Sequence, residues 1–133
     1  MNNGTHAGGR VTKILETAAI TQRYTLVKAG SDDTKVQPCG AGEQAIGVAF
    51  DEGEVGDLIM VEFFGANDRT CLAPVAMTIT TMPLVIAAAG GKITPLPASA
   101  GTYEVIGRVI EGAKVSDSGL AEFAPCPHQR VVS

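Results

Sequence analysis

Ala45-Ile46-Gly47-Val48-Ala49-Phe50 is followed by Asp51-Glu52-Gly53-Glu54-Val55-Gly56-Asp57 and then by Leu58-Ile59-Met60-Val61-Glu62-Phe63-Phe64. The first and third pieces are short apolar runs rich in β-branched residues, and the middle piece is an acidic turn. The stretch therefore predicts a β-hairpin. Sixty residues on, Ile106–Phe123 repeats residues 46–63 without a gap: Ile46/Ile106, Gly47/Gly107, Val55/Val115, Asp57/Asp117, Glu62/Glu122 and Phe63/Phe123 are six identities in eighteen positions. One such unit cannot bury its apolar face alone, so the two copies are expected to pack on each other, with Gly47 and Gly107 permitting close backbone approach where they meet.

The flanking sequence carries the same signal. Thr25 and Val27 alternate with Tyr24, Leu26 and Lys28 before the turn Gly30-Ser31-Asp32-Asp33, and Tyr103–Ile110 alternates along its length. Gly65-Ala66-Asn67-Asp68 closes the first hairpin. Frequent Gly, Pro and Asp turns between short strands indicate an all-β sandwich or barrel, and nothing after residue 23 predicts a long helix. The uncharged stretch between Arg69 and Lys92 contains Pro74 and Pro83, and reads as two strands with turns rather than a membrane span.

Residues 1–23 stand apart. They carry Arg10, Lys13 and Arg23 against Glu16, whereas residues 24–133 hold 7 basic and 13 acidic groups. Met1–Gly9 is small and polar, with no apolar core of a secretory signal. Val11, Ile14, Leu15, Ala18 and Ala19 follow helical spacing over nine residues, too few for a stable isolated helix. We expect an N-terminal arm over 1–23 that orders on binding, through Arg10, Val11, Lys13, Ile14, Leu15 and Ile20, beside a single β domain over 24–133. An edge strand or helix of the domain itself is the equally weighted alternative.

The 133 residues suit one domain, and the 18 Ala, 16 Gly, four Phe, two Tyr and no Trp leave a thin core. A net charge of −4 argues against nucleic acid as a partner. Cys39, Cys71 and Cys126 lack metal-ligand spacing, and His128 beside Cys126 does not complete a zinc site. Asp51, Glu52, Glu54 and Asp57 miss the calcium-loop pattern, and the second copy has Lys114 where the first has Glu54. No phosphate-binding loop or nucleophile–base pair stands out, so no catalytic, cofactor or metal residue is expected. Gly90-Gly91-Lys92-Ile93 could imitate the hairpin tip of a carrier, which keeps a small β-barrel carrier or ligand-binding domain as the second reading.

Three features together resemble the small capsid cement (decoration) proteins of tailed bacteriophages. They are Ala45–Ala49 with Gly56–Val61; Ala73-Pro74-Val75-Ala76 with Met82–Val85 and Gly90–Pro95; and Tyr103–Ala113. The resemblance implies a compact β-barrel or β-tulip-like domain, with residues 1–23 in the role of a flexible arm reaching the shell. It further implies a virion protein made in the host cytoplasm and bound to the outside of the expanded head. There it would form homotrimers that clamp neighbouring major capsid protein subunits, without catalysis, cofactor or membrane.

Overall fold

In a computed structural model, which describes residues 10–65 and 69–133, the chain is all-β. The strands are β1 (Arg10–Leu15), β2 (Leu26–Ala29), β3 (Lys35–Pro38), β4 (Gly47–Ala49), β5 (Leu58–Phe63), β6 (Cys71–Pro74), β7 (Leu84–Ala88), β8 (Lys92–Pro95), β9 (Gly101–Glu111) and β10 (Leu120–Val132). A 3-10 turn, Val115–Asp117, lies between β9 and β10.

The first five strands close into a barrel in the order β1-β3-β2-β4-β5. The second five form a sheet in the order β6-β10-β9-β7-β8, whose ends meet through a parallel bridge between Val75 and Ile93. Followed around the ring from β6 through that bridge, the order is β6-β8-β7-β9-β10. This is the first barrel's order with each strand advanced by five.

The hydrogen bonds repeat as well. Glu16 N–H donates to Val36 O and Ala76 N–H to Ile93 O, both at 2.9 Å. Ile20 N–H donates to Gly53 O and Ile79 N–H to Ala113 O, again at 2.9 Å. Val27 pairs with Gly47 and Pro38, as Val85 pairs with Gly107 and Pro95. The duplication read over residues 46–63 thus extends to a whole five-stranded unit, present twice.

Residues 10–23 depart from the expected arm. β1 lies between β5, antiparallel with Val11 opposite Val61, and β3, parallel with Leu15 opposite Val36. Leu15 is fully buried and Ile20 nearly so, because β1 is the stave that closes the barrel. The alternative, a strand of the domain itself, describes this segment. Residues 1–9 of the expected arm lie outside the described residues.

Two apolar clusters follow from the duplication. Leu15, Ile20, Val27, Val36, Ala49, Ile59 and Val61 fill the first barrel. Phe123, Val109, Ile93, Val85 and Ala121 fill the second unit, and Leu26, Cys39, Ala45 and Val48 of the first unit join them. Leu26 and Val27, like Val48 and Ala49, are buried to opposite sides, so β2 and β4 are covered on both faces. A strand covered on both faces has no polar side, which explains the continuous apolar run Ala45–Phe50. Leu26 N–H donates to Gly91 O (2.8 Å) and Gly42 N–H to Ala87 O (3.0 Å) across the same joint. Phe64 and Phe123 meet there edge to face at 5.7 Å.

The paired glycines have a different job from the one expected. A Cβ on Gly47 would sit 2.4 Å from Glu62 O, and one on Gly107 2.3 Å from Ala124 O. Each glycine therefore admits its own hairpin partner rather than the other copy. The alternation expected for Tyr103–Ile110 breaks at Ile106, which is buried along with Val105, Gly107 and Val109. The cause is a bulge, for β7 passes from Val85 opposite Gly107 to Ile86 opposite Val105, leaving Ile106 unopposed.

Candidate interaction surface

The six side chains expected to bind as an arm are divided between the barrel's surface and its interior. Arg10 Nε donates to Glu62 Oε1 at 3.1 Å, and its guanidinium lies 4.2 Å from the Phe50 ring centroid. Lys13 donates to the Asp33 carbonyl and stands over Phe63 at 6.0 Å. Val11 and Ile14 are half-buried, while Leu15 and Ile20 point into the core. Leu15 and Ile20 are committed to holding the first unit closed.

Glu62 is buried to 3% exposure between Arg10 and Cys71, whose Sγ lies 3.9 Å from Glu62 Oε2. Its counterpart Glu122 accepts from Thr70, has Leu72 opposite it where Glu62 has Arg10, and is only half-buried. Burial pushes the Cys71 thiol up to about 12, with the Glu62 carboxylate adding to it; burial and then Glu43 push Cys39 up to about 11. Both thiols stay protonated at neutral pH and act as apolar filler. Cys126 is exposed. His128 Nδ1 lies 2.7 Å from the Cys126 carbonyl.

Two carboxylates of the acidic turn serve the hairpin itself. Asp51 Oδ2 accepts from Met60 N–H and Asp57 Oδ2 from Glu54 N–H, each at 2.8 Å. Among the described residues, no three His, Cys, Asp or Glu side chains converge on a shared point. The Gly90-Gly91 turn does not stand free. Gly91 is buried against Thr25 and Leu26, at a φ of +71°, and Lys92 is half-buried at the start of β8. Elsewhere, the Lys28 ammonium, 2.6 Å from Glu43, and then the Gly40 N–H hold the Glu43 carboxyl below its usual range.

One element escaped the sequence reading. β5 ends at Phe63, but β10 runs on past the matching Phe123 to Val132. Its last residues pair with the start of β9: Val105 opposite His128, Glu104 opposite Gln129, Tyr103 opposite Arg130, Thr102 opposite Val131 and Gly101 opposite Val132. A register shift between Pro125 and His128 sets this ribbon off from the sheet. β6 covers β10 only over Leu120–Phe123, and β7 covers β9 only over Val105–Arg108. Among the described residues, both edges of the ribbon are open. Arg130-Val131-Val132 carried the signal, but Pro125-Cys126-Pro127 masks it by breaking the β pattern.

Exposed apolar side chains add a second feature. Leu58 (68% exposed), Val55 and Met60 stand on or beside the outer face of β5, where Ile14 and Thr12 lie opposite Leu58 and Met60. On the second unit Val115, the counterpart of Val55, is exposed with Met77 and Ile110. The duplicated architecture, its covered joint and its ribbon define an all-β scaffold in which a closed five-stranded barrel is joined to a five-stranded sheet of the same strand plan.

No family model matches the chain, and no curated protein sequence does. Its fold is similar to the crystal structure of the head fiber gp8.5 N base of bacteriophage phi29. The match has a TM-score of 0.65 and 17% identity, and covers 88% of this chain and 92% of that one.

Proposed function

We propose that this chain is a structural protein of a bacteriophage head, bound to the outer surface of the shell and working without catalysis. The observation that carries this reading is the likeness in fold to a head fiber base over nearly the whole of both chains. The capsid-cement pattern in the sequence points the same way. In the finer form of the proposal the protein clamps neighbouring major capsid subunits against internal pressure, as trimers at three-fold and quasi-three-fold positions. Two units joined by a buried interface suit a load-bearing role, and the exposed faces of β5 and of the second unit offer contacts that add up when many copies bind a closed shell.

The carrier or ligand-binding reading finds less support. It calls for a free lysine at a hairpin tip, whereas Gly91 is packed on the first unit and Lys92 is half-buried.

Co-sedimentation with expanded heads of the phage that encodes the protein tests the proposal. The full chain is expected to pellet with expanded heads and to stay in solution without them. Protein that remains in the supernatant over a range of head concentrations overturns the head-binding role. Because β1 belongs to the barrel, deleting residues 1–23 is expected to unfold the first unit, so a point variant such as Leu58→Ser is the better probe of the surface.

A further inference from the structure

We infer that the cleft between the two units, walled by Thr21, Gln22 and Thr25 of the first and by Gly90 and Lys92 of the second, binds a small oxyanion, a phosphate or a carboxylate, through the Lys92 ammonium. The cleft has a volume of about 380 Å³ and lies where the segment before β2 faces the turn into β8. Its walls are tied to each other. Thr25, only 5% exposed, donates from Oγ1 to the Gln22 carbonyl at 2.6 Å, and its Cγ2 packs on Gly91 with no room for a Cβ between them. Leu26 N–H holds the same turn by donating to Gly91 O. The two walls therefore keep their spacing without a ligand, which lowers the cost of ordering them around one.

The first unit supplies an internal comparison. Lys35-Val36-Gln37-Pro38 forms β3 and Lys92-Ile93-Thr94-Pro95 forms β8, so the two lysines open matching strands. Lys35 is paired: its Nζ lies 3.6 Å from Asp32, three residues earlier. Three residues before Lys92 stands Ala89. Lys92 has no hydrogen bond or ion pair among the described residues, although its side chain is half-buried and lines the cleft. The second unit thus keeps the cation without the carboxylate that neutralises it in the first. The whole chain carries a net charge of −4, so this local excess of positive charge is not a general basicity. A partly desolvated ammonium with no counter-charge is stabilised by an anion beside it.

The facing wall supplies neutral donors. The Thr21 hydroxyl and the Gln22 side-chain amide have no hydrogen-bond partner among the described residues. The acidic turn comes near through the bridge between Ile20 and Gly53, but none of its carboxylates lines the cleft, and Asp51 and Asp57 accept from N–H groups of their own hairpin. One ammonium with hydroxyl and amide donors, and no competing acid, suits an oxyanion and disfavours a cation. An anion held there faces Lys92 of the second unit and the Thr21–Gln22 segment of the first. It bridges the joint and takes part in no reaction.

The test is an amide NMR titration of the isotope-labelled full chain with sodium phosphate and, separately, with sodium acetate, at constant ionic strength. Saturable shifts at Thr21, Gln22, Gly90 and Lys92 are expected, with a Kd below about 10 mM for at least one anion and a melting temperature that rises as it saturates. Tighter phosphate assigns a free phosphate as the ligand; tighter acetate assigns a carboxylate. Lys92→Met keeps most of the half-buried stem and should weaken binding roughly tenfold or more, while Lys35→Met should leave it unchanged. Gln22→Ala, which leaves the carbonyl that Thr25 uses, should weaken it about threefold and carries the test if Lys92→Met loses the native spectrum. Shifts that saturate with neither anion, a folded Lys92→Met or Gln22→Ala protein that binds as before, or an equal loss in Lys35→Met each overturns the inference. Anion binding without co-sedimentation sinks the head reading and leaves this one standing; co-sedimentation without anion binding does the reverse.

Discussion

The two five-stranded units share one strand order and much of one hydrogen-bond pattern, yet they are finished differently. The first is closed on itself: β1 meets β3 over two paired positions, and its interior is filled by its own residues. The second closes through a single bridge and draws Leu26, Cys39, Ala45 and Val48 of the first unit into its core. Identical residues consequently work in different settings. Phe123 is fully buried and touches Phe64, whereas Phe63 is half-buried beneath Lys13. Glu62 is buried beside Arg10, whereas Glu122 is more open. A duplicated sequence fixes the backbone plan, while burial depends on what each copy packs against.

That comparison can be broken by paired substitutions. The largest contrast is expected at the phenylalanines: Phe123→Ala removes a buried ring and should cost about 3–5 kcal/mol, against about 1–2 kcal/mol for Phe63→Ala, read by denaturant unfolding. Equal losses would mean that the units are energetically alike. Gly47→Val and Gly107→Val probe what the copies still share. Each new side chain meets a partner-strand carbonyl, so both should lose about 1–3 kcal/mol, and an unchanged melting temperature for either would show that its hairpin can yield. Next come the glutamates. Glu62→Gln weakens a buried charge-assisted hydrogen bond from Arg10 and should cost about 1–3 kcal/mol, while Glu122→Gln should stay within about 0.5 kcal/mol.

The thiols give the finest test. A thiol reagent on the native protein at pH 8 should label Cys126 quickly and Cys39 and Cys71 only after unfolding. The buried thiols also set an alkaline limit. Above their ordinary value of 9.0 the unfolded chain loses these protons while the folded chain keeps them until about 11 and 12. The unfolded state then binds fewer protons, and stability falls as pH rises through that window. Replacing both buried cysteines with Ala should flatten this part of the fall.

The hairpin over residues 46–63 and its copy were legible because strand, turn and strand keep one spacing throughout. The other three strands of each unit were hidden by loop length. Leu26 and Val27 match Leu84 and Val85 at an offset of 58, and Pro38 matches Pro95 at 57, so an ungapped comparison at sixty passes them by. β1 was misread for another reason. Strands on both sides leave its neighbours, rather than a simple in–out alternation, to decide burial, and Val11, Ile14, Leu15 and Ala18 fall on a helical period by coincidence. The ribbon was unreadable because openness is a property of the sheet: no residue in Gly101–Glu104 reveals that β7 stops short of it.

The position of the ribbon has a consequence for the order in which the protein is made. β1 must wait for β3 and β5, but both precede the second unit, so the first barrel can close while the rest is still being synthesised. β6 waits for β10, which follows β7, β8 and β9 in the chain, so the second unit closes after the first. The open strand edges of the ribbon, a site for aggregation, are thus withheld until the first barrel can be folded behind them.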